Sequence, residues 1–172
     1  MNISAAILLM DSFINTLNTP YLLTSLTSLE HRLERFTMDE REWINDSKAT
    51  NIEATLAALE SMIQPVTLLI GGAGKKGADY TQLADLLMKK TTQIICFGAS
   101  GPEIHTQLTS VLAEKKPCAL TVDLSSAIQL ARLNNDLGPV LLSPACASFD
   151  AFTNFEHRGR YFKEFLAASE VI

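Results

Sequence analysis

The chain has 172 residues, 47% of them hydrophobic and 19% charged, with a formal net charge of -5. A single domain of that length buries roughly 70% of the surface its unfolded form exposes, so a disordered tail, a collagen-like repeat and a disulfide-stapled miniature are excluded. The acidic balance offers no basic face to a nucleic acid and is repelled by an anionic membrane, so neither partner is expected.

Residues 1–29 carry much apolar surface and no strand to cover, and they read as one or two helices. The run Ile3 to Met10 has no Lys or Arg before it, and Asp11 interrupts it well short of the roughly 20 residues that span a bilayer. Neither a signal peptide nor a membrane anchor fits, and a cytoplasmic location is expected. Cys96, Cys118 and Cys146 are odd in number, far apart along the chain and set among apolar residues, as buried reduced thiols are.

A boundary falls near Glu30. Beyond it, Leu33 to Phe36, the acidic turn Met38-Asp39-Glu40 and Arg41 to Ile44 predict a hairpin. A helix with apolar positions Ile52, Leu56, Leu59, Met62 and Ile63 follows. The stretches Val66 to Ile70, Gln93 to Phe97, Cys118 to Val122 and Val140 to Leu142 lack polar alternation, as strands covered on both faces do. Helical spacing appears between them at Leu83, Leu86 and Leu87, at Ile104, Leu108, Val111 and Leu112, and at Leu124, Ala127, Ile128 and Ala131. Gly101-Pro102 and Asp123 stand where helices start. The alternation predicts an α/β fold, Rossmann-like, with an open, mostly parallel sheet, helices on both faces and an N-terminal helical extension.

Three loops hold the unusual polar residues. Asp46, Ser47, Lys48 and Thr50 follow the second hairpin strand, Lys75 and Lys76 follow the strand ending at Ile70, and Ser143 to Asp150 follow Leu142. Ligands of open α/β sheets bind beyond the carboxyl ends of strands, so these loops should converge there and offer lysines and hydroxyls to a carboxylate or phosphate. The string Gly72-Ala73-Gly74-Lys75-Lys76-Gly77 matches GxGxxG, which gives a second reading, a non-catalytic dinucleotide-binding module. The acidic residue that fingerprint needs about 20 positions on is absent from Cys96-Phe97-Gly98-Ala99-Ser100, and no Walker A pattern occurs. His31, His105 and His157 are scattered, and no nucleophile elbow surrounds Ser148 or Cys146.

The segments Ile44-Asn45-Asp46-Ser47-Lys48-Ala49-Thr50-Asn51, Gly71-Gly72 with Lys76-Gly77-Ala78-Asp79-Tyr80, and Leu141 to Asp150 with Asn154-Phe155-Glu156 and Arg158-Gly159 carry a likeness. They resemble the C-terminal domain of the Mur ligases, with the D-glutamate-adding subfamily nearest. His31-Arg32-Leu33-Glu34 resembles the entry to that domain, and residues 1–29 resemble the last helices of the central ATP-binding domain that precedes it. The chain is therefore expected to be a piece of a longer ligase, divided at residues 1–29 and 30–172.

The resemblance implies an ATP-dependent peptide synthase of peptidoglycan and cell-wall biogenesis, serving cell shape and cell division. MgATP phosphorylates the carboxylate of UDP-N-acetylmuramoyl-L-alanine, and the D-glutamate amine attacks the acyl phosphate. The P-loop, the Mg2+ ligands and the UDP site belong to other domains, so no catalytic residue and no metal ligand is expected in this segment. Carried over position by position, Lys48, Thr50, Ser148, Phe149 and Phe155 meet D-glutamate, while Asn2, Arg32 and Asp46 contact ATP. The pocket lysine of the glycine loop is Lys75 when counted from Gly71-Gly72 and Lys76 when counted back from Asp79-Tyr80; the string Lys-Gly-x-Asp-aromatic favours Lys76.

Apolar helices cut off from their own domain are expected to fold back or to pair between chains, because burial stabilises by about 25 cal/mol per Å². A chain beginning at Glu30 is expected to keep its cooperative unfolding and to lose any self-association carried by residues 1–29. Circular dichroism and light scattering on the two lengths check this, and loss of the unfolding transition would move the boundary.

Overall fold

The structure is a computed structural model and describes residues 29–112, 115–133 and 138–168. The expected helices of residues 1–28 lie outside these residues. Chain order is β1 (Glu34–Met38), β2 (Arg41–Asn45), α1 (Ile52–Ser61), β3 (Val66–Gly71), a 3-10 turn (Tyr80–Leu83), α2 (Ala84–Lys90), β4 (Thr91–Phe97), α3 (Gly101–Leu112), β5 (Cys118–Leu120), α4 (Leu124–Leu133), β6 (Val140–Leu142) and α5 (Phe155–Ala168).

The six strands form one sheet in the order β1-β2-β6-β3-β4-β5. Every pair is parallel except the β1–β2 hairpin, in which Phe36 faces Trp43 and Met38 faces Arg41. Asp39 and Glu40 both have positive φ, 51° and 57°, the backbone of a two-residue turn whose twist suits a hairpin. Arg132 fixes that turn by an ion pair to Asp39 at 2.9 Å.

Both faces of the sheet are covered, as the unbroken apolar strands require. On one side Ile44, Leu68, Ile70, Ile94 and Leu141 pack with Ala58 and Leu59 of α1, Leu87 of α2 and Ile104 and Leu108 of α3. On the other, Trp43, Leu69, Ile95, Val140 and Leu142 pack with Leu124, Ala127 and Ile128 of α4 and Phe162 and Leu166 of α5. Trp43 and Phe162 meet edge to face at 5.9 Å, and the indole nitrogen donates to the Met38 carbonyl.

The topology decides where a site can form. From β3 the chain runs outward to β4 and β5, then returns through α4 to insert β6 on the other side of β3. Ligands of open α/β sheets bind where these directions diverge, which here is between β3 and β6, beyond their carboxyl ends and beside β2.

Three expectations need correction, and one helix stands outside them. The first helix stops at Ser61: Met62 turns extended at its end, and Ile63 is 97% exposed. The strand at Cys118 ends at Leu120, leaving Val122 exposed. Cys96 and Cys118, distant in sequence, lie on neighbouring strands with their sulfurs 3.9 Å apart, and Cys118 is half-buried. The closing helix α5 was not singled out by apolar spacing at all.

β3 ends at Gly71, whose φ of 148° lies outside the range that side chains adopt readily. A Cβ there would stand 1.9 Å from the Phe97 carbonyl oxygen of β4. Gly71→Ala is expected to destabilise by about 2 to 4 kcal/mol, because either the β3–β4 ladder or the turn must move. The shift of the urea unfolding midpoint measures it.

Candidate functional site

The three polar loops do meet beyond the strand ends, and backbone hydrogen bonds fasten them. Asp46 N donates to the Leu142 carbonyl, Ser143 N to Leu69 and Gly71 N to Pro144, at 2.9, 3.2 and 3.0 Å. Ala73 and Ala147 exchange N–H···O bonds of 2.8 and 3.1 Å, an isolated antiparallel rung between the glycine loop and the β6–α5 loop. Lys48, the Lys75-Lys76 pair and Ser148 therefore ride on loops that are fixed to one another.

Asp46 is the most constrained of the expected residues. It is 6% exposed, its Oδ2 accepts from the Ser143 hydroxyl at 3.0 Å, and its Oδ1 accepts from Leu33 N at 3.3 Å. Burial pushes its carboxyl up to about 6, against the pull of those hydrogen bonds and of the Arg32 cation. Arg32 itself is exposed on a turn before β1, where His31 and Leu33 have positive φ, 63° and 49°. That turn reaches the site from the backbone, since the His31 carbonyl accepts from Lys48 N at 3.1 Å.

Lys48 is exposed, and its ammonium stands 4.9 Å from the centre of the half-buried Phe155 ring, a cation–π contact. Thr50 is half-buried just ahead of α1, beside Asn51, whose side chain caps that helix by accepting from Ala54 N. Lys75 and Lys76 are both exposed and adjacent, so exposure does not choose between them. Ser148 is buried, while Phe149 is 75% exposed and belongs to no core cluster. Asn2 lies outside the described residues.

The glycine loop does not behave as a dinucleotide fingerprint. After Gly77 the chain makes a 3-10 segment before α2, so the glycine loop does not open directly into an α-helix as that fingerprint requires. The alternation of strand and helix suited a dinucleotide module; this local geometry does not.

Sequence reasoning passed over the residue that holds the loops together. Arg158 of α5 is fully buried, and its guanidinium spends four hydrogen bonds on them. Nε donates to Ser47 Oγ (3.0 Å), Nη2 to the Ser47 carbonyl (2.8 Å), and Nη1 to the carbonyls of Cys146 and Ala147 (3.1 and 3.2 Å). Ser47 in turn donates to the Phe155 carbonyl at 2.8 Å. Burial lowers the Arg158 pKa to about 10, and the group stays charged at neutral pH. The available signal was a charged residue in register with Phe155, Phe162 and Leu166, on the inward stripe of α5.

Among the described residues one donor set is compact enough for a cation: Glu30, His31 and Glu34. The Lys163 ammonium already sits 2.9 Å from both carboxylates, and His31 Nδ1 lies 3.0 Å from the Asn45 amide nitrogen. This cluster ties the start of β1 to α5. No described helix is long and apolar enough to cross a membrane.

No family model matches the chain. The UDP-N-acetylmuramoylalanine–D-glutamate ligase of Christiangramia forsetii is 42% identical over 144 residues, which cover 83% of this chain and 32% of that protein. Among solved structures, UDP-N-acetylmuramate-alanine ligase MurC from Thermotoga maritima superposes with a TM-score of 0.65 at 16% identity, over 96% of this chain and 36% of that one. The MurF ligase of the same organism, in complex with ADP, gives 0.59 at 15% identity over 96% of this chain and 37% of that one. The chain spans about a third of the length of the proteins it matches. On a sequence likeness of this strength and a fold shared across nearly all of its length, the chain belongs to the Mur ligase family, related to its D-glutamate-adding members.

Proposed function

We propose that this chain is the D-glutamate-binding, ATP-contacting part of a ligase that joins D-glutamate to UDP-N-acetylmuramoyl-L-alanine in the cytoplasm during peptidoglycan synthesis. The observation that carries the reading is the fastening of the Lys48, Lys75-Lys76 and Ser148 loops at one edge of the sheet. D-glutamate brings two carboxylates, and two separate cationic loops can meet one each. Thr50 and Ser148 supply hydroxyls to orient the ligand, and Phe149 and Phe155 wall it. An exposed aromatic such as Phe149 gains most when a ligand or another domain covers it.

ATP supplies the phosphoryl group that activates the muramoyl-alanine carboxylate, with Mg2+ held by the rest of the ligase. The residues present suit a nucleotide: Arg32 is an exposed cation for phosphate, and Asp46 is a rigid acceptor beside it. The amine of the bound D-glutamate, held at its carboxylates, then attacks the acyl carbon and phosphate departs. This segment works by positioning and by closing over the other domains. Alone it is expected to release no phosphate from ATP and to bind D-glutamate only in the millimolar range or more weakly.

Titration of the 15N-labelled chain with D-glutamate tests the reading, with shifts expected at Lys48, Thr50, the glycine-loop lysines and Ser148. Shifts confined to Gly98 to Ile104 would place the pocket elsewhere. In a full-length ligase containing this segment, Lys48→Ala is expected to lower kcat/KM for D-glutamate roughly tenfold to a hundredfold, equivalent to about 1.5 to 3 kcal/mol for a charge-assisted contact. Unchanged kinetics would leave Lys48 a solvated charge.

Keeping Asp46 buried has a cost that suits a residue kept for its chemistry. Its folded pKa of about 6 lies above the ordinary 3.8, so between those values the folded chain holds a proton that the unfolded chain has released. Stability from this group therefore falls as pH rises through that window, by up to about 3 kcal/mol. Asp46→Asn is expected to remove that slope: measured by urea unfolding from pH 4 to 7, the variant should gain on the wild-type chain as pH rises. Parallel curves would show that Asp46 ionises freely.

A further inference from the structure

The helix α3 supplies none of the residues assigned to a ligand, yet it touches the lysine loop at both ends. Ser100 occupies its N-cap, since the Ser100 carbonyl accepts the first helical bond from Ile104 N at 3.0 Å. A serine there ordinarily turns its hydroxyl onto the N–H groups of its own helix. Here Oγ instead accepts from Gly74 N at 2.8 Å, and Ser100 N donates to the Gly72 carbonyl at 2.9 Å. About two turns further along, Gln107 grips the other end: its Oε1 accepts from Tyr80 N at 2.7 Å and its Nε2 donates to the Ala78 carbonyl at 3.0 Å.

Between these two grips lie only Lys75, Lys76 and Gly77. The grip on Gly74 is close, because a Cβ at that position would stand 2.3 Å from the Tyr80 hydroxyl and 2.8 Å from Ser100 Oγ. On the side away from Ser100, the Ala73–Ala147 rung ties the same stretch to the loop of Ser148. A long lysine loses rotamer freedom when it is held to a ligand, so fixing its backbone beforehand leaves less to be ordered on binding.

We propose that Ser100 and Gln107 are positioning residues that clamp the two ends of the lysine loop and thereby set where Lys75 and Lys76 present their charge. That the charge meets D-glutamate rests on the function proposed above; the clamp itself does not. Neither residue touches the ligand in this scheme, and both act through the backbone of the loop.

Amide hydrogen exchange and D-glutamate titration on the 15N-labelled chain test it together. Ser100→Ala is expected to speed exchange at Gly74, and Gln107→Ala at Tyr80, each about fivefold for one hydrogen bond. Each is expected to weaken D-glutamate binding by about the same factor, while Ser100→Thr, which keeps the hydroxyl, restores both. In a chain already lacking both loop lysines, Ser100→Ala should cost no further affinity, because the clamp acts only through them. Unchanged exchange at Gly74 and Tyr80, or a loss of affinity that persists without the lysines, overturns the proposal. If the wild-type chain shows no response to D-glutamate, the proposed substrate is wrong, and the exchange rates alone decide whether the clamp exists.

Discussion

A single buried guanidinium holds the working edge of this molecule in register. Among the described residues Arg158 faces no carboxylate at ion-pair distance; its charge is met by a hydroxyl and three backbone carbonyls drawn from two loops that are about a hundred residues apart in sequence. Leaving those acceptors unpaired in the interior would cost about 1 to 3 kcal/mol for each. The β2–α1 loop and the β6–α5 loop are thus held to α5 by the same side chain. Gly72 admits this arrangement, since its Cα passes where any side chain would meet the Ala147 carbonyl and the Arg158 guanidinium.

Around that anchor the residues divide into two kinds. Ser47 and Ser143 are buried and spend their polar groups inside the protein, whereas Lys48, Lys75, Lys76, Phe149 and Arg32 stand exposed. The first kind fixes distances between loops, and the second kind is what another molecule would meet. A fold that invests its buried hydrogen bonds in loops, where backbone is otherwise mobile, is organised around holding those exposed groups still.

The sheet and most of the crevice could be read from the residues because apolar runs with no alternation leave one physical solution, strands covered on both sides. The hairpin was legible from its acidic turn, and the convergence of three loops followed from strand direction alone. What resisted was α5. Its inward stripe contains Arg158 and Gly159 among Phe155, Phe162 and Leu166, and its outer face carries Glu156, Arg160, Lys163 and Glu164. Arg158 is there for loop carbonyls and Gly159 for the buried His31 ring, which would lie 2.3 Å from a Cβ. Both are tertiary demands that interrupt the apolar period, and the one trace they leave is a charge in register with Phe162 and Leu166. The meeting of Cys96 with Cys118 was hidden for a related reason, as it depends on the β4–β5 register.

The insertion of β6 between β2 and β3 also orders events during synthesis. A ribosome releases β2 and β3 long before Val140 to Leu142 emerge, and in that interval neither can pair with the other across the width of a missing strand. The two halves of the sheet must wait as separate pieces, each with an apolar edge open to water, until the last quarter of the chain supplies first the strand that joins them and then the helix whose arginine locks their loops. Such late, long-range closure slows folding and lengthens the exposure of sticky edges. It also means that a nascent chain stalled between Gln107 and Val140 would hold the lysine loop with its α3 contacts and lack the strand and the helix that join that loop to the Lys48 loop.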